Sequence, residues 1–148
     1  MEEFDPAQER EIWQRVCARQ PEGDPQLRKW MLESMEKLAA YRRLAEQLTG
    51  TARERAKQLY AGEQAALMAL RGLSLLSGAG AERIRTLPPP REQTRRVLEL
   101  CYHRSQQTAA EFTARSVHPE WGVVFEELTK QQREQCVMLA RLLGEVVS

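Results

Sequence analysis

The chain is poor in the residues that most often do chemistry. Its only histidines are His103 and His118, both poorly placed for a Ser-His-Asp or Cys-His arrangement. Its three cysteines, Cys17, Cys101 and Cys136, are odd in number and widely spaced, which argues against a disulfide framework or a Cys-x-x-Cys zinc site. Buried cysteines are usually small apolar fillers. No apolar run approaches the ~20 residues of a membrane-spanning helix. No charge sign dominates: 22 Lys+Arg stand against 21 Asp+Glu, a net charge of +1. That balance gives no global pull toward nucleic acid or an anionic membrane. The Arg-rich stretches, Arg42-Arg43 and Arg83 to Arg96, are interleaved with acids, and no Gly-rich phosphate loop precedes a helix. They read as solvated charged faces. The first residues, Met1-Glu2-Glu3-Phe4-Asp5, are acidic and carry no signal-peptide core, so a cytoplasmic location is expected.

Val, Ile and Thr are also scarce, and no stretch alternates apolar and polar residues with a period of two. Leu, Ala, Glu, Gln and Arg, which favour helices, are abundant. With 148 residues and 42% apolar composition, one soluble domain is expected. The pattern predicts five helices. The first runs from about Pro6 to Arg19, with Asp5 as N-cap, Gln8 as capping-box partner and an apolar face of Ile12, Trp13, Val16 and Cys17. It covers the bundle or meets a second subunit, and residues 1–23 form its unit. The second starts at Asp24-Pro25 and runs to about Leu48. The third starts at a Thr51/Glu54 capping box and runs to about Ser77, where Gly78-Ala-Gly80 ends it. The fourth runs from about Arg91 to Ser116, and the fifth from Pro119 to about Val146.

The last four are roughly 24 to 28 residues each, or ~36–42 Å. Residues 24–148 therefore read as an all-α four-helix bundle. The short joints at Thr49–Thr51 and Val117–Pro119 make two antiparallel hairpins. The Gly78–Pro90 linker can extend to ~43 Å, long enough to cross the whole bundle, as in ferritin-like folds.

The inner stripes carry the functional information. The fifth helix presents Trp121, Phe125, Leu128, Gln132, Gln135, Leu139, Leu142 and Val146, apolar at both ends and polar between. The third presents Ala56, Leu59, Glu63, Ala66, Leu70 and Leu73. The second presents Leu27, Met31, Ser34, Leu38, Tyr41, Ala45 and Leu48, and the fourth Leu98, Cys101, Ser105, Thr108 and Phe112. A weak repeat links the two hairpins: Ser34 precedes Tyr41 as Ser105 precedes Phe112, and Glu63/Ala66 matches Gln132/Gln135 in i, i+3 spacing. Trp30 and Trp121, near helix starts, are expected to plug the core ends. A lone carboxylate buried at mid-length needs hydrogen bonds. Glu63 is expected to accept them from some of Ser34, Ser105, Gln132 and Gln135, directly or through a trapped water, with an inward Arg104 as the alternative partner.

Several stretches resemble rubrerythrin-like members of the ferritin-like superfamily: Tyr41-Arg-Arg-Leu-Ala45, Tyr60-Ala-Gly-Glu-Gln64, Cys101-Tyr102, Glu111-Phe112, His118-Pro-Glu-Trp-Gly122 with Val124-Phe125, and Glu134-Gln-Cys136. The likeness covers about residues 25 to 146. It implies a bundle that holds two irons with Glu, Glu-x-x-His, Glu and Glu-x-x-His, in relatives that serve peroxide defence and iron handling in bacteria. Carried over position by position, the ligand set is mostly empty. Ser34 stands for the first Glu, Glu63-x-x-Ala66 for the first Glu-x-x-His, Ser105 for the third-helix Glu, and Gln132-x-x-Gln135 for the second Glu-x-x-His. Only Glu63 retains a ligand of the family's type. The expectation is a non-catalytic structural or interaction protein without a cofactor, associating as a homodimer. An alternative is an active di-iron peroxidase or oxidase using Glu33, Glu36, Glu63 and Glu99 or Glu111. A third is a small-molecule binding module at the mid-bundle polar cluster.

Overall fold

The computed structural model describes residues 24–78 and 83–147; the expected helix within residues 1–23, with Asp5, Trp13 and Cys17, lies outside them. Among the described residues there are four helices and no strand: α1 (Pro25–Gln47), α2 (Gly50–Leu76), α3 (Thr94–Arg115) and α4 (Gly122–Val147). Asp24 caps α1 as its sequence suggests, its carboxylate accepting from the Gln26 N–H at 2.9 Å with Pro25 in the first turn.

Three helix starts differ from the sequence reading. The N-cap of α2 is Thr49, without a side-chain cap bond, rather than Thr51. Gly50 takes φ +60°, and this left-handed residue lets two helices join through a very short turn. α3 begins at Thr94 rather than Arg91, because the chain stays extended beyond Pro88-Pro89-Pro90 while Arg43 binds the Pro90 and Glu92 carbonyls. α4 begins at Gly122 rather than Pro119. Before it, the His118 ring nitrogen Nδ1 accepts from the Glu120 and Trp121 N–H groups, both at 3.1 Å, and the ring stacks on Trp121.

α1 packs on α2 and α3 on α4; the hairpins meet along α2–α4 and, more sparsely, α1–α3. Trp30, early in α1, donates to Glu111, late in α3, while Thr94 at the start of α3 donates to Gln47 at the end of α1. These helices therefore run antiparallel. Leu27 and Trp30 share a cluster with Leu70 and Leu73, which places the end of α2 beside the start of α1. The end of α2 and the start of α3 thus lie at opposite ends of the bundle. Within the connection, Arg42 donates to the Leu87 carbonyl at 3.2 Å, tying that segment along α1.

The core is two apolar clusters separated by a polar layer. One end holds Trp30, Met31, Leu70, Phe112 and Phe125, with Trp30 edge-on to Phe112 at 4.9 Å and to Phe125 at 5.7 Å. Such pairs add ~0.5–1.5 kcal/mol beyond burial. The other end holds Tyr41, Leu44, Leu59, Leu98, Leu139 and Leu142. Trp30 is a buried end plug; Trp121 is only half-buried against its cluster.

The α3–α4 turn has a steric requirement for glycine. A Cβ on Gly122 would stand 2.3 Å from the Ser116 carbonyl oxygen, whereas one on Gly72 would meet nothing within 4 Å. Gly122→Ala is expected to cost about 1–3 kcal/mol. Gly72→Ala, inside α2, is expected to add up to ~1 kcal/mol. Urea unfolding of the two variants should move the midpoint in opposite directions.

Candidate functional site

The polar layer brings together Ser34, Lys37 and Tyr41 from α1, Glu63 from α2, and Gln132 and Gln135 from α4. The six positions of the sequence-derived cluster are all buried: Ser34, Glu63, Ala66, Ser105, Gln132 and Gln135. Four of them are joined by hydrogen bonds. Glu63 Oε1 accepts from the Ser34 hydroxyl at 2.6 Å. Its Oε2 accepts from Gln135 Nε2 at 2.8 Å and Gln132 Nε2 at 3.2 Å. Ala66 instead lies in the apolar cluster beside Leu70.

Lys37 completes the arrangement, and sequence reading missed it. Its Nζ stands 3.0 Å from Glu63 Oε2 and donates to Gln132 Oε1 at 2.7 Å, and the whole residue is only 3% exposed. Tyr41 donates its hydroxyl to Gln135 Oε1 at 2.8 Å. Each glutamine therefore has its carbonyl on a donor from α1 and its amide on the carboxylate. This directionality fixes both amide orientations. The stripe reading placed Leu38 on the inner face; Leu38 is half-buried, and Lys37 takes the inner row. Helical periodicity lets either residue turn inward, and hydrophobicity favours the leucine. A carboxylate on the facing helix decides for the lysine, because an unpaired buried carboxylate is far costlier than a flanking leucine.

Two of the candidate partners do not reach Glu63. Ser105, fully buried, lies beside Tyr41 instead. Arg104 faces outward and pairs with Glu36. The carboxylates of the enzymatic alternative are spread apart: Glu99 pairs with Arg95 and Arg96 at the surface, and Glu111 receives Trp30 Nε1 at 2.7 Å at the bundle end. Glu33 pairs with Lys29. His103 is exposed, edge-on to Tyr102. Among the described residues no group of three or more His, Cys, Asp or Glu comes together.

Electrostatics follow from burial and pairing. Burial pushes the Glu63 carboxyl up, but the Lys37 charge and the bonds from Ser34, Gln135 and Lys37 outweigh it, leaving the group below its ordinary 4.5 and ionised. Burial, with the neighbouring Cys101 and Glu63, holds the Tyr41 phenol well above 10, so it remains a neutral donor. Burial raises the Cys101 thiol to about 11, against the opposing charges of Lys37 and Arg104. Cys101 is thus a protonated filler rather than a nucleophile. No known family model, curated protein or solved structure matches the chain.

Two measurements test the network. Lys37→Met leaves a buried carboxylate without its cation and is expected to cost about 3–5 kcal/mol, whereas Lys37→Met with Glu63→Gln removes both charges and should recover much of that loss in urea denaturation. The pH dependence has a defined sign. Because the folded-state value of Glu63 is lowered, its contribution is complete above about its ordinary 4.5 and fades as acid reaches the lower folded value. Melting temperature should therefore fall more steeply below pH ~4.5 in the wild type than in the doubly neutral variant.

Proposed function

We propose that this chain is a ferritin-like bundle that has exchanged a di-iron centre for an internal ion pair. It works without metal chemistry, as a structural or protein-interaction element of the cytoplasm, with a second copy of itself as partner. The observation that carries the reading is the Lys37 ammonium 3.0 Å from Glu63, in the layer where the rubrerythrin-like pattern puts its metal ligands. Two irons need several carboxylates and imidazoles to neutralise and orient them. Here one carboxylate is available, and a resident cation already neutralises it. The remaining positions are hydroxyls and neutral amides, with both amide oxygens engaged by Lys37 and Tyr41. The donor set does not fit the metal pair, and no chemical step runs through it.

The path of the chain supports the same lineage: two hairpins whose connecting segment begins and ends at opposite ends of the bundle. Exposed apolar side chains support a role at surfaces. Leu76 and Val117 are 78% and 86% exposed, and both belong to the end of the bundle where α2 and α3 terminate.

Elemental analysis of protein purified without chelators tests the proposal. Well under one iron, manganese or zinc per chain is expected. About two irons per chain, with peroxidase or ferroxidase turnover, would overturn it in favour of the enzymatic alternative.

A further inference from the structure

A cleft of about 600 Å³ opens between α1, α3 and the segment Leu87–Glu92. Its volume lies within the range of small-molecule sites, ~300–1,000 Å³. It follows the sparsest of the helix–helix seams. One wall is Leu87 and Pro88-Pro89-Pro90; the opposite wall is Val97, Leu100 and Cys101 on α3; Ala40 and Lys37 of α1 line it as well.

This wall is preformed. Consecutive prolines hold a stiff extended backbone and have no N–H to satisfy. Their segment's carbonyls are taken up by arginines from α1: Arg42 holds Leu87, and Arg43 holds Pro90 and Glu92. A rigid wall spares a ligand the cost of ordering it.

The charge around the apolar walls is asymmetric. Arg91 and Arg104 line the cleft against Glu36 and Glu92, the Lys37 charge being spent on Glu63, and Arg42 and Arg43, bound to carbonyls of the proline segment, add two further cations. Glu36 is already held by Arg104 across a solvent-accessible pair, which exchanges partners at little cost. Lys37 is the one member of the central network that reaches this cleft.

From the apolar walls, the stiff proline segment and the cationic margin, we infer that this cleft binds a small amphipathic monocarboxylate. The acyl tail lies between the prolines and Val97/Leu100, and the carboxylate meets Arg104. The inference is independent of the metal-free reading, since the cleft lies outside the Glu63 hydrogen bonds.

Thermal unfolding of the full chain with octanoate, octanol and octylamine tests it. Octanoate near 100 times its Kd is expected to raise Tm by roughly 5–10 °C, octanol less, and octylamine not at all. Arg104→Gln, at a partly exposed position, should weaken octanoate about tenfold. Leu100→Glu, at an exposed position on the α3 wall, should abolish the shift while leaving the ligand-free Tm unchanged. Amide NMR perturbations from octanoate should centre on Ala40, Val97, Leu100 and Arg104. No Tm shift with octanoate, an equal shift with octanol or octylamine, or perturbations centred elsewhere would each overturn the assignment.

Discussion

The ion pair between Lys37 and Glu63 organises the middle of this bundle. Each charge would be prohibitively costly to bury alone, and together they still need their remaining valences filled. Ser34, Gln132 and Gln135 fill them for the carboxylate, and Gln132 does so for the ammonium. Because these groups come from α1, α2 and α4, the pair fixes the axial register of three helices at once. A slide of one helix by a turn would strand a charge. Apolar contacts at the two ends tolerate such a slide far better, since leucine packs against leucine in many registers.

The same layer explains how a carboxylate can stay ionised in the bundle interior. A metal centre and an ion pair solve one problem, the neutralisation of buried negative charge. With a lysine one turn beyond Ser34, a single carboxylate is neutralised in place, and the two glutamine amides act as hydrogen-bond bridges around it. Tyr41 extends the chain of bonds through Gln135 to Glu63. Such linked bonds polarise one another in a low-dielectric interior. The result is a self-satisfied network, and it shifts attention from the middle of the bundle to its surfaces and to the cleft beside the prolines.

That cleft and the network meet at one residue. Lys37 has its ammonium inside and its side chain along the wall between α1 and α3. A ligand seated against that wall would thus adjoin the element that sets the helical register.

The sequence by itself determined the all-helical character, the four long helices, the two hairpins and the alternation of apolar ends with a polar middle. It also located Ser34, Glu63, Gln132 and Gln135 in one layer, because helical spacing is a local property and those residues break an apolar stripe. It marked Asp24 as a cap and Gly78 as a stop for the same local reason. Tertiary structure alone decided which neighbour neutralises Glu63. Lys37 and Leu38 are adjacent on the helix, and nothing within α1 chooses the charged one; the carboxylate 26 residues further along the chain does. Ser105 shows the converse: its stripe position buries it, but its partner depends on rotations of helices that no local pattern encodes. The cleft, too, exists only once the proline segment is laid across two helices distant in sequence.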